Sequence, residues 1–380
     1  MITADRLHTV EEYYFSKKLR EVNALKAAGA PIINLGIGSP DLAPPKAVIT
    51  AITDSLSDVS AHKYQSYQGL PALRLAMANF YKAHYNISLN PQNQVLPLIG
   101  SKEGIMHISM AYLNQGDAVL IPNPGYPTYT SVTKLVGATP VFYDLNATSN
   151  WQPDLVSLEA TDVSKVKLMW INYPHMPTGT LGDKKILKGL VDFAKKNEIL
   201  LINDNPYSFI LNNQPSSIFN IEGAEQVCLE LNSLSKTFNM AGWRVGMLTG
   251  AKAHLDNVIK VKSNMDSGMF YGIQKGAIEA LNSSKNWFSD LNLIYSERRK
   301  LVWELATALN CTFETNTSGM FVWAKLPTGL KSEAFIDKIL HDYHLFIAPG
   351  TIFGTNGEGY IRFSLCAPSE SIELAIKRVL

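Results

Sequence analysis

Between residues 94 and 249, short apolar runs of strand length alternate with stretches of helical periodicity, and this alternation constrains the fold more than any other feature of the chain. The runs at 118–121, 167–171, 199–203, 227–231 and 245–249 are aliphatic and bounded by turn-forming residues, as buried strands are. Between two of them, residues 183–197 put apolar side chains at 186, 187, 190, 191 and 194, one face of a helix. Strands joined through helices return in the same direction, so the pattern predicts a mainly parallel α/β sheet with helices on both faces. A chain of 380 residues has room for a second lobe. We expect a large lobe over 46–285 and a smaller α+β lobe from 1–45 and 286–380. In the small lobe, helical patterns at 9–29, 287–309, 332–344 and from 369 onward flank a strand-like run at 313–326.

Charge narrows the function. Thirty-four Lys and Arg against 33 Asp and Glu leave a net charge of +1, no field for nucleic acid or an anionic membrane. Charged residues are 18% and apolar ones 46%, which leaves apolar surface to bury, as a subunit interface would. Cys228, Cys311 and Cys366 are scattered and odd in number, which argues for a reducing compartment and against structural zinc. No apolar run reaches membrane-spanning length and the N-terminus lacks an apolar signal segment, so a soluble cytoplasmic protein without a metal is expected.

Residues 233–246 read S-L-S-K-T-F-N-M-A-G-W-R-V-G, directly after one of the apolar runs. Lys236 is placed on an exposed loop from which its amine reaches a cleft, and a lysine so placed condenses with carbonyl compounds when its pKa is lowered. Arg244 stands between glycines and can hold an oxyanion with two parallel bonds. Ser233 with Lys236 also spells the S-x-x-K of serine hydrolases, but the S-D-N and K-T-G strings that accompany it are absent. Strand, Gly100, Ser101, Lys102 and then a helical pattern make an anion site at a helix N-terminus. Tyr126 sits on the rigid turn P-N-P-G-Y-P, suited to stacking on a flat ligand. Asp204 closes a buried strand, where open α/β sheets place functional groups and where a protonated heterocyclic nitrogen would offset the buried charge.

Taken in order, these pieces resemble the class I/II aminotransferases, fold-type I enzymes that use pyridoxal 5′-phosphate (PLP), and the likeness spans nearly the whole chain. It leans toward the branch of diaminopimelate and alanine aminotransferases. The resemblance implies that Lys236 carries the cofactor and moves a proton at the substrate Cα. Asp204 would partner the pyridine nitrogen, Tyr207 the phenolic oxygen, and Tyr126 the ring face. Ser101, Lys102, Ser233 and Arg244 would hold the phosphate, with Tyr64 reaching it from the second subunit of a homodimer. Arg362 would grip the substrate α-carboxylate, and Gly38 would line that pocket. Ile37, Phe353 and, from the second subunit, the loop around Tyr67 would surround the substrate side chain.

Residues 172–179 read N-Y-P-H-M-P-T-G where the family has N-Y-P-N-N-P-T-G. Met176 therefore replaces an Asn that donates to the cofactor's phenolic oxygen, which a thioether cannot do. Tyr207 is left as the main donor, with His175 as a substitute that would have to swing in. The activity implied is amino-group transfer between an L-amino acid and a 2-oxo acid, alternating two cofactor forms. A C–S lyase on the same scaffold is the alternative, and a ligand-sensing regulator is disfavoured because no DNA-binding segment is attached.

Overall fold

The computed structural model describes residues 2–380. Its main sheet has seven strands in the spatial order Val95–Leu98, Gly246–Gly250, Cys228–Ser233, Leu200–Asp204, Val166–Ile171, Ala118–Asn123 and Thr139–Asp144. Six run parallel and Gly246–Gly250 runs against them. Every residue of Ala118–Asn123, Leu200–Asp204 and Cys228–Ser233 is buried, as strands covered on both faces must be. The helix Lys184–Lys196 shows how the sequence writes such an element. Asp183 caps it by accepting from the Lys185 and Ile186 amides at 2.8 and 3.0 Å, Leu187, Leu190, Val191 and Ala194 form its buried face, and two lysines close its last turn.

A second, antiparallel sheet runs in the order Ala348–Pro349, Tyr360–Ser364, Phe321–Lys325, Thr312–Phe313, packed by the helices Asn286–Ala308, Ser332–Tyr343 and Ser369–Val379. One apolar core continues from the main sheet into this region through Leu35, Ile171, Tyr207, Phe321, Phe346 and Phe363. The cleft between the two sheets is thereby walled by packed side chains.

Two expectations from the sequence need correction. The helical pattern over 9–29 is a 3-10 turn, Asp5–Thr9, then a break, then an α-helix only from Tyr14 to Ala27; Tyr13 stays extended, and its ring faces the Lys102 amine in the cleft. The strand-like run over 313–326 is also split. The amides of Ser318 and Gly319 donate to Gly179 and Ile210 of the main lobe at 2.8 Å each, so this stretch docks instead of pairing.

Candidate active site

The functional segments converge on the carboxyl edge of the main sheet, where open α/β sheets bind ligands. Asp204 and Ser233 are the last residues of neighbouring strands, and the helix Ser101–Tyr112 starts just beyond Val95–Leu98. Because Gly246–Gly250 runs the other way, its entrance lies at this edge and brings Arg244 with it. A cavity of about 420 Å³ opens there. Of the site residues expected from sequence, Gly38, Ser101, Lys102, Tyr126, Met176, Asp204, Tyr207, Ser233, Lys236, Arg244 and Arg362 all line it. Tyr64 does not; it is 90% exposed, in the loop after the 3-10 turn Val59–His62.

Lys236 corrects the expectation of an exposed loop. It lies in a single helical turn, Leu234–Thr237, capped by Ser233, whose hydroxyl accepts from the Ser235 amide at 3.1 Å. The amine donates to the Gly38 carbonyl, nearly two hundred residues away in sequence, and that segment covers it. Burial brings its pKa down to about 8, Arg362 and Arg244 push the same way, and Cys366 opposes them. A buried amine without a paired carboxylate is the state a nucleophilic lysine needs.

Asp204 accepts from the Tyr129 hydroxyl at 2.8 Å through Oδ2, while Oδ1 is buried without a partner. Burial raises its pKa to about 6; Tyr129 lowers it and Glu230 adds to the rise. An unsatisfied carboxylate oxygen on a cavity-lining residue fits a cationic ring nitrogen. Tyr126 packs edge-on against Tyr129 at 5.5 Å between centroids, and Tyr207 lies edge-on to Phe321 at 5.7 Å, its hydroxyl pKa raised by burial.

At the other end of the cavity, Gly100 has φ +85°, and a Cβ there would lie 2.2 Å from the Arg244 guanidinium, so only glycine lets the arginine close over the helix start. Backbone amides at Ser101 and Lys102, the Ser233 hydroxyl and Arg244 line this end and could together hold a phosphate. A nucleophilic amine, an unpaired carboxylate and an anion cradle, arranged around one cavity, fit PLP.

Arg362 is 4% exposed. It donates through NH2 to the Gly36 carbonyl at 2.7 Å, its NH1 lies 3.3 Å from Met176 Sδ, and its Nε has no partner. Its Cζ stands 3.9 Å from the Phe321 centroid and 4.7 Å from that of Phe353. Burial lowers its pKa to about 10, still a full cation at neutral pH. Gly38 lies against Phe321, where a Cβ would meet the ring at 2.4 Å. His175 is no substitute donor: it is buried away from the cavity, 2.8 Å from the Thr178 hydroxyl, with its pKa driven down to about 3.

Tyr13, Phe15 and Leu19 of the first helical segment, Asn172 and Phe321 also line the cavity and were not singled out as site residues from sequence. Tyr129 was missed as well. Asn172 was legible in principle, being part of the quoted N-Y-P motif; its amide oxygen accepts from the Met176 amide at 2.8 Å and its nitrogen donates to the Asp204 carbonyl. Tyr13 and Tyr129 carried no local signal, because aromatic residues within a helical sequence pattern are ordinarily core. A separate, partly buried group, Glu103, His107 and Asp266, has metal-ligand spacing, but the Lys262 ammonium already sits 2.5 Å from Asp266 and 4.0 Å from Glu103.

Comparison with known proteins places these features. The profile of the family "Aminotransferase class I and II" matches residues 30–379. LL-diaminopimelate aminotransferase from Dehalococcoides mccartyi is 37% identical, with 100% of this chain and 98% of the relative covered. The enzyme of that name from Halothermothrix orenii is 38% identical, again covering 100% and 98%. Among solved structures, substrate-bound BacF from Bacillus subtilis superposes with a TM-score of 0.95 at 33% identity, covering 100% of this chain and 97% of that one.

Proposed function

The chain belongs to the class I and II aminotransferases, PLP-dependent enzymes that move an amino group between an amino acid and a 2-oxo acid, and from that premise we propose that its donor carries a second acidic end, with LL-diaminopimelate as the donor to test first. The supporting observation is Lys102. Its amine projects into the cavity 4.7 Å from the centre of the Tyr13 ring, and burial, then Arg244, lower its pKa. A cavity-lining cation whose charge environment is another cation, Arg244, suits a distal carboxylate on the substrate.

Bound PLP supplies an electron-withdrawing ring that stabilises negative charge at the substrate Cα. Lys236 would carry it, Asp204 would hold its ring nitrogen, Tyr207 its phenolic oxygen, Tyr126 its face, and Ser101, Lys102, Ser233 and Arg244 its phosphate. Arg362 binds the α-carboxylate through Nε and the NH2 hydrogen that Gly36 does not take, the two donors on one edge of the guanidinium. With the carboxylate fixed, Lys236, whose amine is about one-tenth neutral at pH 7 and half neutral near pH 8, would take the proton from Cα and return it. Phe15, Leu19 and Phe321 keep water from the reacting carbon.

The protein acts as a homodimer in the cytoplasm. Tyr64, Tyr67, Met265 and Phe270 are large apolar side chains left exposed on one chain, the three cysteines are unpaired, and no helix among the described residues is long and apolar enough to cross a membrane. A donor panel with 2-oxoglutarate as acceptor tests the substrate. We expect LL-diaminopimelate to lead in kcat/KM and Lys102→Met to raise its KM about tenfold while leaving alanine unaffected. Preference for phenylalanine, with Lys102→Met silent, would overturn the acidic-donor reading in favour of the cavity's aromatic walls.

A further inference from the structure

Asp204 ends its strand with one side-chain hydrogen bond to its carboxylate, the 2.8 Å contact in which the Tyr129 hydroxyl donates to Oδ2. The main chain around it is fixed separately. The Asp204 carbonyl accepts from the Asn172 side-chain nitrogen, and the Asn205 amide donates to the Leu231 carbonyl at 2.8 Å. What these bonds leave free is the carboxylate plane, because rotation about Cβ–Cγ is a broad, soft torsion. Among the described residues only Tyr129 meets that carboxylate with a donor. Tyr129 is itself held. It is fully buried in the helix Pro127–Leu135, and its carbonyl accepts from the Thr133 hydroxyl at 2.7 Å. Its ring lies parallel to that of Trp170, with 4.9 Å between centroids and 6° between planes. Trp170 belongs to the strand Val166–Ile171, which pairs with the strand of Asp204, so the hydroxyl is carried by a ring packed on the same sheet. Burial raises the Tyr129 pKa well above its ordinary value, so the group stays a donor through neutral and mildly alkaline pH.

We propose that Tyr129 is a positioning residue for the cofactor ring: by taking Oδ2 it sets the plane of the Asp204 carboxylate, leaves Oδ1 for the ring nitrogen, and helps to keep the proton on that nitrogen. The inference rests on the reading that Asp204 holds the ring nitrogen. A carboxylate that already receives an O–H bond has its charge stabilised and is the weaker base, so a proton shared with it stays on the partner. Without the hydroxyl the carboxylate turns more freely and becomes the stronger base. It then draws the proton away from the ring nitrogen, and proton removal at the substrate Cα slows.

The test compares binding of two molecules to the cofactor-free enzyme: PLP, and its analogue with CH in place of the ring nitrogen. The analogue keeps the aldehyde, the phosphate and the phenolic oxygen but offers Oδ1 nothing to hold. Tyr129→Phe leaves the ring on Trp170 and removes one hydroxyl. The preference for PLP over the analogue, a ratio of Kd values, should shrink about tenfold, with the analogue bound as in the parent. In steady-state kinetics with PLP, kcat should fall about tenfold or more with the donor KM within about threefold. A merely structural role would weaken both molecules alike and leave the ratio at its parent value, which would overturn the proposal, as would a variant indistinguishable from the parent. Tyr129→Met, also without a donor, gives the same comparison if Tyr129→Phe does not fold, since a ratio taken on one variant cancels general damage to the cavity. Asp204→Ala is measured in parallel. If it collapses the ratio and the Tyr129 variants do not, the role of Tyr129 is overturned alone; if Asp204→Ala leaves the ratio unchanged, the premise about Asp204 falls and the proposal with it.

Discussion

Lys236 and Asp204 carry opposite burdens from the same burial, one pushed toward the neutral amine and the other toward the neutral acid. For Lys236 the consequence is reactivity. Its neutral fraction rises with pH through about 8, whereas exposed lysines become neutral only above about 10. An amine-reactive reagent should therefore label Lys236 of the cofactor-free protein with a midpoint near pH 8; a midpoint above 10 would contradict this. For Asp204 the consequence is instability. Folded Asp204 titrates near 6 and an unfolded aspartate near 3.8, so between those values the folded chain binds more protons and its stability falls as pH rises, remaining lower above 6. Asp204→Asn should remove this penalty, making the cofactor-free protein more stable by about 3 kcal/mol at pH 7 while crippling turnover. Parallel stability curves for the two proteins would refute it. Met176 lies beside Arg362 and has no N–H to offer the cofactor's phenolic oxygen. The visible absorption of the Met176→Asn holoenzyme should titrate at lower pH than the parent's, since a donor there favours the deprotonated form; equal midpoints would rule this out.

Elements are where sequence reading reached furthest and where its boundary shows. The buried strands announced themselves as apolar runs, and the helix Lys184–Lys196 through its cap and its apolar face, because those signals are local. The reversed strand Gly246–Gly250 reads like its neighbours, because direction within a sheet is chosen by long-range pairing. The cover over Lys236 was invisible for the same reason: Gly38 is distant in the chain, and a lysine among small polar residues looks exposed until the covering segment is seen. The helix Lys252–Lys262 ends in a lysine 2% exposed, paired with Asp266 and near Glu103, whose other oxygen accepts from the Ile99 amide just before the phosphate cradle. Lys262→Met would leave two acids facing each other, at a loss of roughly 3 kcal/mol or more in denaturant titration. A change within 0.5 kcal/mol would show that the cluster is hydrated and unimportant.

At the scale of the molecule, the main sheet supplies the cofactor end of the cavity and the small sheet the Arg362 end, joined by one apolar core. We propose the lobe boundaries at 45/46 and 285/286, where helices begin at Lys46 and Asn286. Tyr64 and Tyr67 are the expected site residues that one chain leaves outside its own cavity. If Tyr64 serves a partner, a mixture of Lys236→Ala and Tyr64→Ala chains should regain activity, since each mixed dimer rebuilds one site with an intact Lys236 and an intact Tyr64. Activity no higher than that of Tyr64→Ala alone would show that Tyr64 acts within its own chain or not at all. The most direct measurement of the central claim is borohydride reduction of the PLP-loaded enzyme followed by peptide mapping. The account predicts loss of the visible absorption and a cofactor adduct on Lys236 alone, while untreated enzyme is bleached by its donor amino acid and restored by a 2-oxo acid. An adduct on another lysine, or a protein that takes up no PLP, would contradict it.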